Sequence, residues 1–458
     1  MTDIEKDGLM AERIAENVSE CGGRTFFVGG CVRDEILGEK VKDYDIEVHG
    51  ITPDCLEKIL DSLGERISIG ESFGIYNIKG CSIDIAMPRK EKVRGLGHKD
   101  FDVFVDPFIG TEGASKRRDF TINALMKDVL TGEIIDHYNG RRDLELRILR
   151  HVNDESFGED PLRVLRGAQF AARLGAKVAP ETVSICCNMK LTELSRERVE
   201  GELRKALLKA ERPSVFFEVL REMNQLDFWF PELSSLCNVP QNPKHHAEGD
   251  VWTHTMMVID EAAKHRFEVS NPFGFMLAAV AHDFGKAICT EVINGAVHAY
   301  EHETKGLPLI ESFLRRITSE TKLIEYVMNI CELHMQPNVV AGVKASVKST
   351  NRMFDRAVDP VALICFSVAD SEGKIPPRED ASNEEFLYER LDIYREYMSR
   401  PYVMGRDLIE AGLSPGENFS EILSYAHKLR LAGVEKKSAL KQVLAFAGKN
   451  LEKTNKLW

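Results

Sequence analysis

The chain has 458 residues, with 60 Lys or Arg against 73 Asp or Glu, so its formal net charge at neutral pH is −13. At about 150 residues per domain, this length predicts roughly three domains with cores of their own. A hydrophobic share of 43% and a charged share of 29% exclude fibrous and disordered classes. Because the longest apolar stretches fall short of the ~20 residues of a membrane span, and the N-terminal residues lack an apolar block, we expect neither a membrane span nor an export signal.

Cysteine usage and net acidity narrow the cellular context. The ten cysteines are scattered, without a Cys-x-x-Cys pair, which predicts free thiols in a reducing cytoplasm. The negative net charge argues against indiscriminate coating of nucleic acid, so any RNA contact is expected to be local.

Hydrophobic periodicity divides the chain into a mixed part and a helical part. Five β-rich runs predict strands within an α/β domain, at residues 24–28, 45–48, 74–78, 82–86 and 132–136. From Pro161 onward apolar residues recur every three or four positions, which predicts helices almost to the end of the chain. Breaks at Pro231, 240–250 and 374–382 separate the helical portion into pieces.

The first candidate site begins in the sequence FFVGGCVRD. A predicted strand ends at Gly29 and Gly30, and Arg33 lies on the helix expected to follow. Glycines at this point let backbone N–H groups approach a phosphate closely. Taken alone, a glycine pair after a strand is more often only a tight turn.

Three carboxylates follow. Asp43 and Asp45 alternate in the extended segment KDYDIEV, so both point to one face of a strand. Asp84 lies in the predicted strand SIDIA, which could be a neighbour. Such a set can hold two Mg²⁺ ions for in-line displacement at phosphorus. The alternative is that the Asp-x-Asp pair faces solvent.

These residues resemble the class II nucleotidyltransferases, which include CCA-adding tRNA nucleotidyltransferases and bacterial poly(A) polymerases. GGCVRD with KDYD resembles the first motif of that family, KRRDFTINAL the second, DHYNGRRDL the third and FGEDPLRVLR the fourth. The resemblance implies that Asp43 and Asp45 bind Mg²⁺ and that Asp84 helps to deprotonate the primer 3′-hydroxyl.

The second and fourth motifs supply the candidate nucleotide-binding residues. Beyond Gly29, Gly30 and Arg33, these are Arg117, Arg118, Asp119, Asn123, Glu159, Asp160, Arg163 and Arg166. Arginine forks suit phosphate, and the polar side chains suit ribose. The spacing of Asp160 and Arg163 places an acceptor and a forked donor on one helix face, and by resemblance they read CTP and ATP, with Glu159 orienting Arg163.

Structural alternatives to these roles stay open. Asp160 before Pro161 is also a good helix cap, and Asp119 could cap an exposed helix start. Gln169 stands where the family usually has an arginine, which leaves a phosphate or structural contact at that position open.

A second candidate site is made of histidines and carboxylates. His254, the adjacent His282 and Asp283 on one predicted helix, and Asp370 resemble the ligand set of HD-type metal phosphohydrolases. His302 and His334 lie where two-metal members carry further histidines, and His245, His246 and His298 are surface residues or alternative ligands. Imidazole with carboxylate favours Mn, Fe, Co, Ni or Zn over Mg. A His–Asp dipeptide on its own usually makes only a structural hydrogen bond.

The combination of both modules resembles the multifunctional CCA proteins. It implies an α/β nucleotidyltransferase domain of the polymerase β-like fold at 1–148, followed by an all-α neck at 149–238, an HD domain at 239–376 and an RNA-binding tail at 377–458. Within the tail, residues 403–423 resemble a motif that grips tRNA, although an ordinary helix-turn-helix fits them too. The lysines near the end could line phosphates or form a solvated face.

We therefore predict a cytoplasmic enzyme that adds CCA to the tRNA 3′ end from CTP and ATP, with HD-domain hydrolysis of RNA 3′ phosphate or 2′,3′-cyclic phosphate. An A-adding or CC-adding enzyme shares nearly all the motifs, and residues 89–102 could separate them. A poly(A) polymerase is less compatible with the sequence pI of about 5.6. A nucleotide phosphohydrolase with a retired transferase head is opposed by the intact carboxylates, whose mutual repulsion is costly without metal.

Overall fold

The computed structural model describes residues 3–70, 75–93, 101–244, 246–377, 381–416 and 418–454. The chain forms two compact units, residues 1–229 and 230–458. The boundary lies beside Pro231, where the sequence predicts a break. The four-domain division is finer than these two units and stays a prediction.

A mixed sheet organises the first unit. The strands of this unit are β1 (Arg24–Val28), β2 (Tyr44–His49), β3 (Arg66–Gly70), β4 (Ile75–Ile78), β5 (Ile83–Ala86), β6 (Arg89–Val93), β7 (Phe101–Val105), β8 (Met126–Asp128), β9 (Ile134–Ile135), β10 (Ile148–Leu149) and β11 (Lys177–Val178). Seven of them form one sheet in the order β3-β4-β5-β2-β1-β8-β9. β2 and β5 run parallel, whereas β6 and β7 form a separate antiparallel hairpin.

Helices cover this sheet and continue beyond it. They are α1 (Asp3–Glu20), α2 (Gly30–Ile36), α3 (Pro53–Leu63), α4 (Gly110–Ser115), α5 (Gly140–Glu145), α6 (Asp154–Gly158), α7 (Leu162–Leu174), α8 (Pro180–Cys186), α9 (Arg196–Lys209), α10 (Ser214–Glu222) and α11 (Leu226–Trp229). Local signals explain α3: the Thr52 side chain accepts the Cys55 N–H, and Pro53 occupies the first turn. Leu56 and Leu60 of α3 pack with Ile46 and Ile85 from the sheet, so β2 and β5 are fixed by a buried apolar layer.

The predicted strands at 24–28, 45–48 and 82–86 are confirmed as β1, β2 and β5. The run at 74–78 becomes β4, and Gly74 lies outside the described residues. The predicted strand at 132–136 shrinks to Ile134–Ile135, because the Asp128 carboxylate accepts the N–H groups of Leu130 and Thr131 and closes a turn. Strands β3 and β8 of the sheet were not predicted.

The second unit is helical, as predicted. Its helices are α12 (Pro231–Ser234), α13 (Val251–His265), α14 (Pro272–Ala281), α15 (Lys286–Cys289), α16 (His302–Lys305), α17 (Leu307–Ile317), α18 (Thr321–Leu333), α19 (Met335–Gly342), α20 (Val347–Arg356), α21 (Pro360–Glu372), α22 (Ala381–Ser399), α23 (Gly405–Glu410), α24 (Phe419–Leu431) and α25 (Lys436–Thr454). One hairpin interrupts them, β12 (Glu291–Ile293) with β13 (Ala296–His298). Asn294 and Gly295 form its turn, both with positive φ, so an Asn-Gly signal for this hairpin was present in the sequence.

Helices α13, α14 and α21 form the centre of this unit. All residues of α14 from Phe273 to Ala281 are buried, so this helix is enclosed on every side. Asp250 and Asp359 cap α13 and α21 by accepting backbone N–H groups. Among the described helices, none combines the length and apolar character needed to cross a membrane.

Candidate active sites

The predicted convergence of carboxylates in the first unit is confirmed by strand register. Asp45 on β2 pairs directly with Asp84 on the parallel strand β5, so both side chains leave the same face of the sheet. Asp43 lies just before β2 on the same alternation. Asp43 and Asp84 are exposed and Asp45 is half-buried, so the cluster lies at the surface end of the strands.

Burial and the neighbouring carboxylates raise the pKa of Asp45. Burial, with added repulsion from Asp43 and Asp84, raises the pKa of Asp45 from 3.8 to about 6, against a lowering influence from Arg118. A cation bound beside Asp45 would oppose this rise. Among residues 3–70, 75–93 and 101–229, however, no three ligand atoms lie within 4.8 Å of one another.

Gly29 and Arg118 border this cluster. Gly29 has a φ of 69°, and a Cβ at this position would lie 3.8 Å from Arg118 Nη1 and 3.9 Å from Asp45 Oδ2. The glycine is therefore required by its backbone angle, and it leaves space between a cation and a carboxylate. Glu47, which was not predicted as a site residue, is buried next to them and accepts a hydrogen bond from Arg118 Nη2 at 3.1 Å. Its signal was present, since Glu47 continues the alternation of Asp43 and Asp45.

A buried polar chain joins three of the motifs. Arg33 Nη1 donates to Asn123 Oδ1 at 2.7 Å, and Asn123 Nδ2 donates to Asp119 Oδ1 at 3.1 Å. Asp119 Oδ2 in turn accepts from Arg166 Nε at 2.7 Å. Burial alone would raise the pKa of Asp119, but Arg166 and Asn123 hold it below its usual range. Asp119 and Asn123 therefore act within a packed network and do not form an exposed helix start.

The fourth motif makes different contacts from those predicted. Arg163 is held by the carbonyls of Ser156 and Arg117, at 2.6 and 2.8 Å. Glu159 pairs with Arg117 at 3.3 Å. The prediction that Glu159 orients Arg163 is therefore corrected: backbone carbonyls orient this guanidinium, because the chain before α7 folds back around it.

The structure shows the predicted capping role of Asp160, and base reading by this residue stays a prediction. Its Oδ1 accepts the Leu162 N–H at 3.0 Å, as a capping residue does. Arg198, on α9, donates to both carboxylate oxygens at 3.0 and 2.8 Å, a partner that the sequence did not indicate. Gln169 is buried, and its Nε2 has no hydrogen-bond partner among the described residues, so no contact equivalent to that of an arginine is made by this amide nitrogen.

The third motif is structural. Asp136 accepts the N–H groups of Gly140 and Arg141 at 2.8 and 3.0 Å and so starts α5. A Cβ on Gly140 would lie 2.2 Å from the carbonyl oxygen of Thr121. This close backbone approach locks the third motif against the second.

In the second unit, four predicted histidines share one orientation. Each donates its Nδ1–H to a backbone carbonyl, since a carbonyl oxygen can only accept. The pairs are His254 with Gly373 at 2.9 Å, His282 with Ala279 at 3.1 Å, His302 with Ala299 at 2.9 Å and His334 with Cys331 at 2.6 Å. In the neutral form of each ring Nε2 then carries the lone pair, the form in which imidazole binds a metal, although, against the effect of burial, the facing carboxylates raise the pKa values of His254 and His302.

The Nε2 atoms face two buried carboxylates. His254 lies 3.1 Å from Asp370, and both His282 and His302 lie 3.2 Å from Asp283. Among the described residues four sets of three ligand atoms lie within 4.8 Å, and two of them are made of these buried groups: His254 with His282 and Asp370, and Asp283 with His302 and His334. All six side chains are buried.

Unsatisfied atoms test whether a metal fits there. His282 Nε2 and both oxygens of Asp283 are buried without a well-aligned hydrogen-bond partner among the described residues, although Lys286 Nζ forms an ion pair with Asp283 at 2.7 Å. Burial and the neighbouring imidazoles of His282 and His302 lower the pKa of His334 to about 3, so this ring is neutral. Imidazole nitrogens, ionised carboxylates and orphaned lone pairs fit one or two divalent transition metals.

Other predictions for this site are refined by the structure. The His282-Asp283 dipeptide lies just beyond α14 and not on the helix. His246 forms a further candidate ligand set with Glu248 and His254, in line with its prediction as an alternative ligand: it contacts Glu248 at 2.7 Å, and Glu248 lies 3.3 Å from His254. His298 stacks on Tyr300, and His245 lies outside the described residues.

The tail follows the predicted outline. Gly405 begins α23, and α24 starts at Phe419, so Pro415 and Gly416 lie in the connection between two helices. Lys436, at the start of α25, pairs with Asp407 at 2.8 Å.

Comparisons with known proteins agree with this architecture. Residues 25–150 match the poly A polymerase head domain family. The multifunctional CCA protein of Alkalilimnicola ehrlichii is 33% identical over 406 residues, covering 85% of this chain and 94% of that protein. The multifunctional CCA protein of Actinobacillus pleuropneumoniae serotype 5b is 37% identical over 326 residues, covering 70% and 77%.

Solved structures share the fold across nearly the whole chain. The Thermotoga maritima CCA-adding enzyme complexed with tRNA has a TM-score of 0.64 at 18% identity, covering 96% of this chain and 95% of that one. The Bacillus stearothermophilus CCA-adding enzyme in complex with CTP has a TM-score of 0.65 at 20% identity, covering 97% and 99%.

The head fold and its carboxylate cluster define a nucleotidyltransferase with a largely helical remainder. Given the identity and coverage of these relatives, the chain belongs to the family of multifunctional CCA proteins.

Proposed function

We propose that this enzyme adds CMP, CMP and AMP, from CTP and ATP, to the 3′ end of tRNA without a nucleic-acid template. The observation that carries the proposal is the register of Asp45 beside Asp84, bordered by Gly29 and Arg118. Family membership supports the choice of tRNA as substrate. A tRNA substrate and ten free cysteines favour action in the cytoplasm.

Each residue of the head site has a distinct task in this proposal. Asp43 and Asp45 would hold Mg²⁺, which lowers the charge barrier at the α-phosphate when it is bound. Asp84 accepts the proton of the primer 3′-hydroxyl. The hydroxyl oxygen then bonds to the α-phosphorus, and pyrophosphate leaves.

Nucleotide selection is assigned to the fourth motif. Asp160 offers acceptor oxygens and Arg163 a forked donor, which match the edges of cytosine and adenine. The carbonyls that hold Arg163 and the fork of Arg198 on Asp160 fix both groups before a base arrives. Arg33, Asn123, Asp119 and Arg166 form the network that supports the ribose and phosphate contacts.

Nucleotide incorporation tests the proposal. Labelled CTP and ATP are supplied, separately and together, to tRNA transcripts that end at the discriminator base, at C or at CC. Three additions in the order C, C, A are expected. Addition of A alone to the CC-ended transcript would identify an A-adding enzyme, two additions of C alone a CC-adding enzyme, and an unbounded A ladder a poly(A) polymerase. No addition would contradict the proposal.

We also propose a phosphohydrolase activity for the second unit, acting on RNA 3′ phosphate or 2′,3′-cyclic phosphate. The common Nδ1 anchoring of four buried histidines favours it. This anchoring turns the Nε2 atoms toward two buried carboxylates, which is the arrangement of metal ligands and the groups that orient them. Mn, Ni, Co, Fe or Zn would be held there by these histidines with Asp283 and Asp370, and would activate water for hydrolysis.

Variants separate the two activities. Asp43→Ala with Asp45→Ala is expected to abolish nucleotide addition and to leave hydrolysis intact. His282→Ala with Asp283→Ala is expected to do the reverse. If both activities were lost in either double variant, while circular dichroism showed a folded protein, the sites would not be independent.

The domain assignment completes the proposal. Residues 1–148 carry transfer, 149–238 nucleotide selection, 239–376 hydrolysis and 377–458 tRNA binding. Support for the last assignment comes from the predicted helix start at Gly405 and the lysines of α25.

A further inference from the structure

We infer that Glu47 is a positioning residue for nucleotide transfer, which acts by holding Arg118 at the edge of the carboxylate cluster and away from Asp45. The inference rests on the proposed nucleotidyltransferase function of the head. It adds to the site a residue that neither binds the nucleotide nor holds the metal.

The contacts of Glu47 show a carboxylate with both oxygens committed. Oε1 lies 2.8 Å from His49 Nε2, and Oε2 accepts from Arg118 Nη2 at 3.1 Å. The Glu47 and His49 side chains are 9% and 8% exposed, whereas that of Arg118 is 32% exposed. Glu47 is therefore anchored inside the sheet, and it reaches only the inner edge of the guanidinium.

The position of Arg118 explains why it needs an anchor. Its Nη1 and Asp45 Oδ2 lie close to one point, 3.8 and 3.9 Å from the place of a Gly29 Cβ. A guanidinium free to rotate there would form an ion pair with Asp45, the strongest partner available to it. Such a pair would compete with Mg²⁺ for Asp45 and would withdraw the fork from phosphate.

The energetics of burial point to the same role. A buried carboxylate close to other acids is costly unless it is paired, and an apolar pair of the same shape would stabilise the sheet as well or better. Glu47 is also too deep to join Asp43 and Asp84, which are exposed. The charge of Glu47 is explained by its hydrogen bond to Arg118 Nη2, which leaves Nη1 on the side of Gly29 and Asp45.

The test compares Glu47→Gln, Glu47→Ala and Arg118→Gln with the wild-type enzyme in the full chain. The KM for CTP and for ATP is expected to rise about tenfold in Glu47→Ala, as for loss of one hydrogen bond to a charged group. The Mg²⁺ concentration for half-maximal rate is expected to rise as well, with the KM for tRNA unchanged. Glu47→Gln, which keeps an acceptor for Arg118, is expected to show a smaller change.

A matched control separates positioning from stability. Asp128 is another buried strand carboxylate paired with an arginine, Arg24 at 2.8 Å, on strand β8 of the same sheet. Asp128→Asn is expected to lower the melting temperature without changing the KM for nucleotide or the Mg²⁺ midpoint. The double variant Glu47→Ala with Arg118→Gln is expected to be no worse than Arg118→Gln alone, because Glu47 acts through Arg118.

Two outcomes would overturn the inference. One is that the Glu47 variants change only the melting temperature, as Asp128→Asn does. The other is that the effects of Glu47→Ala and Arg118→Gln on KM multiply. If the wild-type enzyme itself added no nucleotide, the proposed function would fail, and the inference would fail with it for that separate reason.

Discussion

Replacement of Asp45 by asparagine is expected to abolish nucleotide addition and, in the absence of metal, to stabilise the protein. Burial and the repulsion from Asp43 and Asp84 raise the pKa of Asp45 from 3.8 to about 6. At ~1.36 kcal/mol per pH unit, the rise of the Asp45 pKa from 3.8 to about 6 corresponds to a free energy of about 3 kcal/mol. Because Asp45 is only half-buried, solvent screening reduces this to about 1–2 kcal/mol.

The sign of the pH dependence follows from linkage. A carboxyl whose folded pKa is raised contributes stability below its unfolded pKa of 3.8, and that contribution is lost as the pH rises through about 6. At about pH 7.5 the ionised Asp45 of the metal-free wild type has lost it, whereas the amide of the Asp45→Asn variant stays neutral. At about pH 5, about half of the difference is expected to remain.

Differential scanning calorimetry in EDTA at the two pH values measures the effect. Asp45→Asn is expected to melt about 3–5 °C above the wild type at about pH 7.5, in a unit of this size. Saturating Mg²⁺ should raise the wild-type melting temperature and narrow the gap. Asp61→Asn, an exposed carboxylate that pairs with Arg66, is the control and should shift by less than about 0.5 kcal/mol. A variant that melts at or below the wild type at the higher pH, or a gap independent of pH, would refute the reasoning.

Three further results are expected. His334→Ala should lower the bound transition metal by about one ion per chain, measured by plasma emission after dialysis, and unchanged content would remove His334 from the ligand set. Gly285→Ala should destabilise the second unit by about 4 kcal/mol or more, because a Cβ would lie 2.0 Å from the backbone oxygen of His302. Thermal melts measure the effect, and Gly158→Ala is the control, because nothing lies within 4 Å of a Cβ there. Equal shifts in melting temperature for the two variants would be inconsistent with this clash. Gln169→Met should raise the free energy of unfolding by about 1 kcal/mol in urea titrations by removing a buried unpaired amide, and a loss of stability would indicate a partner for it.

The parts of the head site that the sequence could predict are those set by strand alternation. Asp43 and Asp45 had to share a face, and Asp84 could join them once β2 and β5 were neighbours. Glu47 follows the same alternation, but a third acid on a strand does not reveal whether it faces metal or an arginine distant in sequence. That distinction depends on the segment after α4, which brings Arg118 into contact with Glu47.

Side-chain pairing in the fourth motif could not be predicted for a related reason. The spacing of Glu159 and Arg163 permits a pair on one helix turn, but the structure has Glu159 before α7 and pairs it with Arg117. A carboxylate pairs with the arginine that lies nearest to it in the folded chain, and Arg117, Arg163 and Arg198 all lie near the fourth motif. The choice among them is a tertiary property.

The two sites neutralise their carboxylates in different ways, and the difference suits different metals. Asp43 and Asp84 are exposed, and no compact triad of described residues forms around Asp45, so the proposed Mg²⁺ would be held at an open site. In the second unit Asp283 and Asp370 are buried, and burial alone would raise their pKa values. His282 and Lys286 nevertheless hold the pKa of Asp283 well below its usual range. Lys374 and His254 do the same for Asp370. In the proposed metal centre six enclosed side chains would surround the metal, and Lys286 and Lys374 also pair with Asp283 and Asp370, at 2.7 and 2.9 Å. Burial is thus the property that separates the proposed magnesium site of the first unit from the proposed transition-metal site of the second.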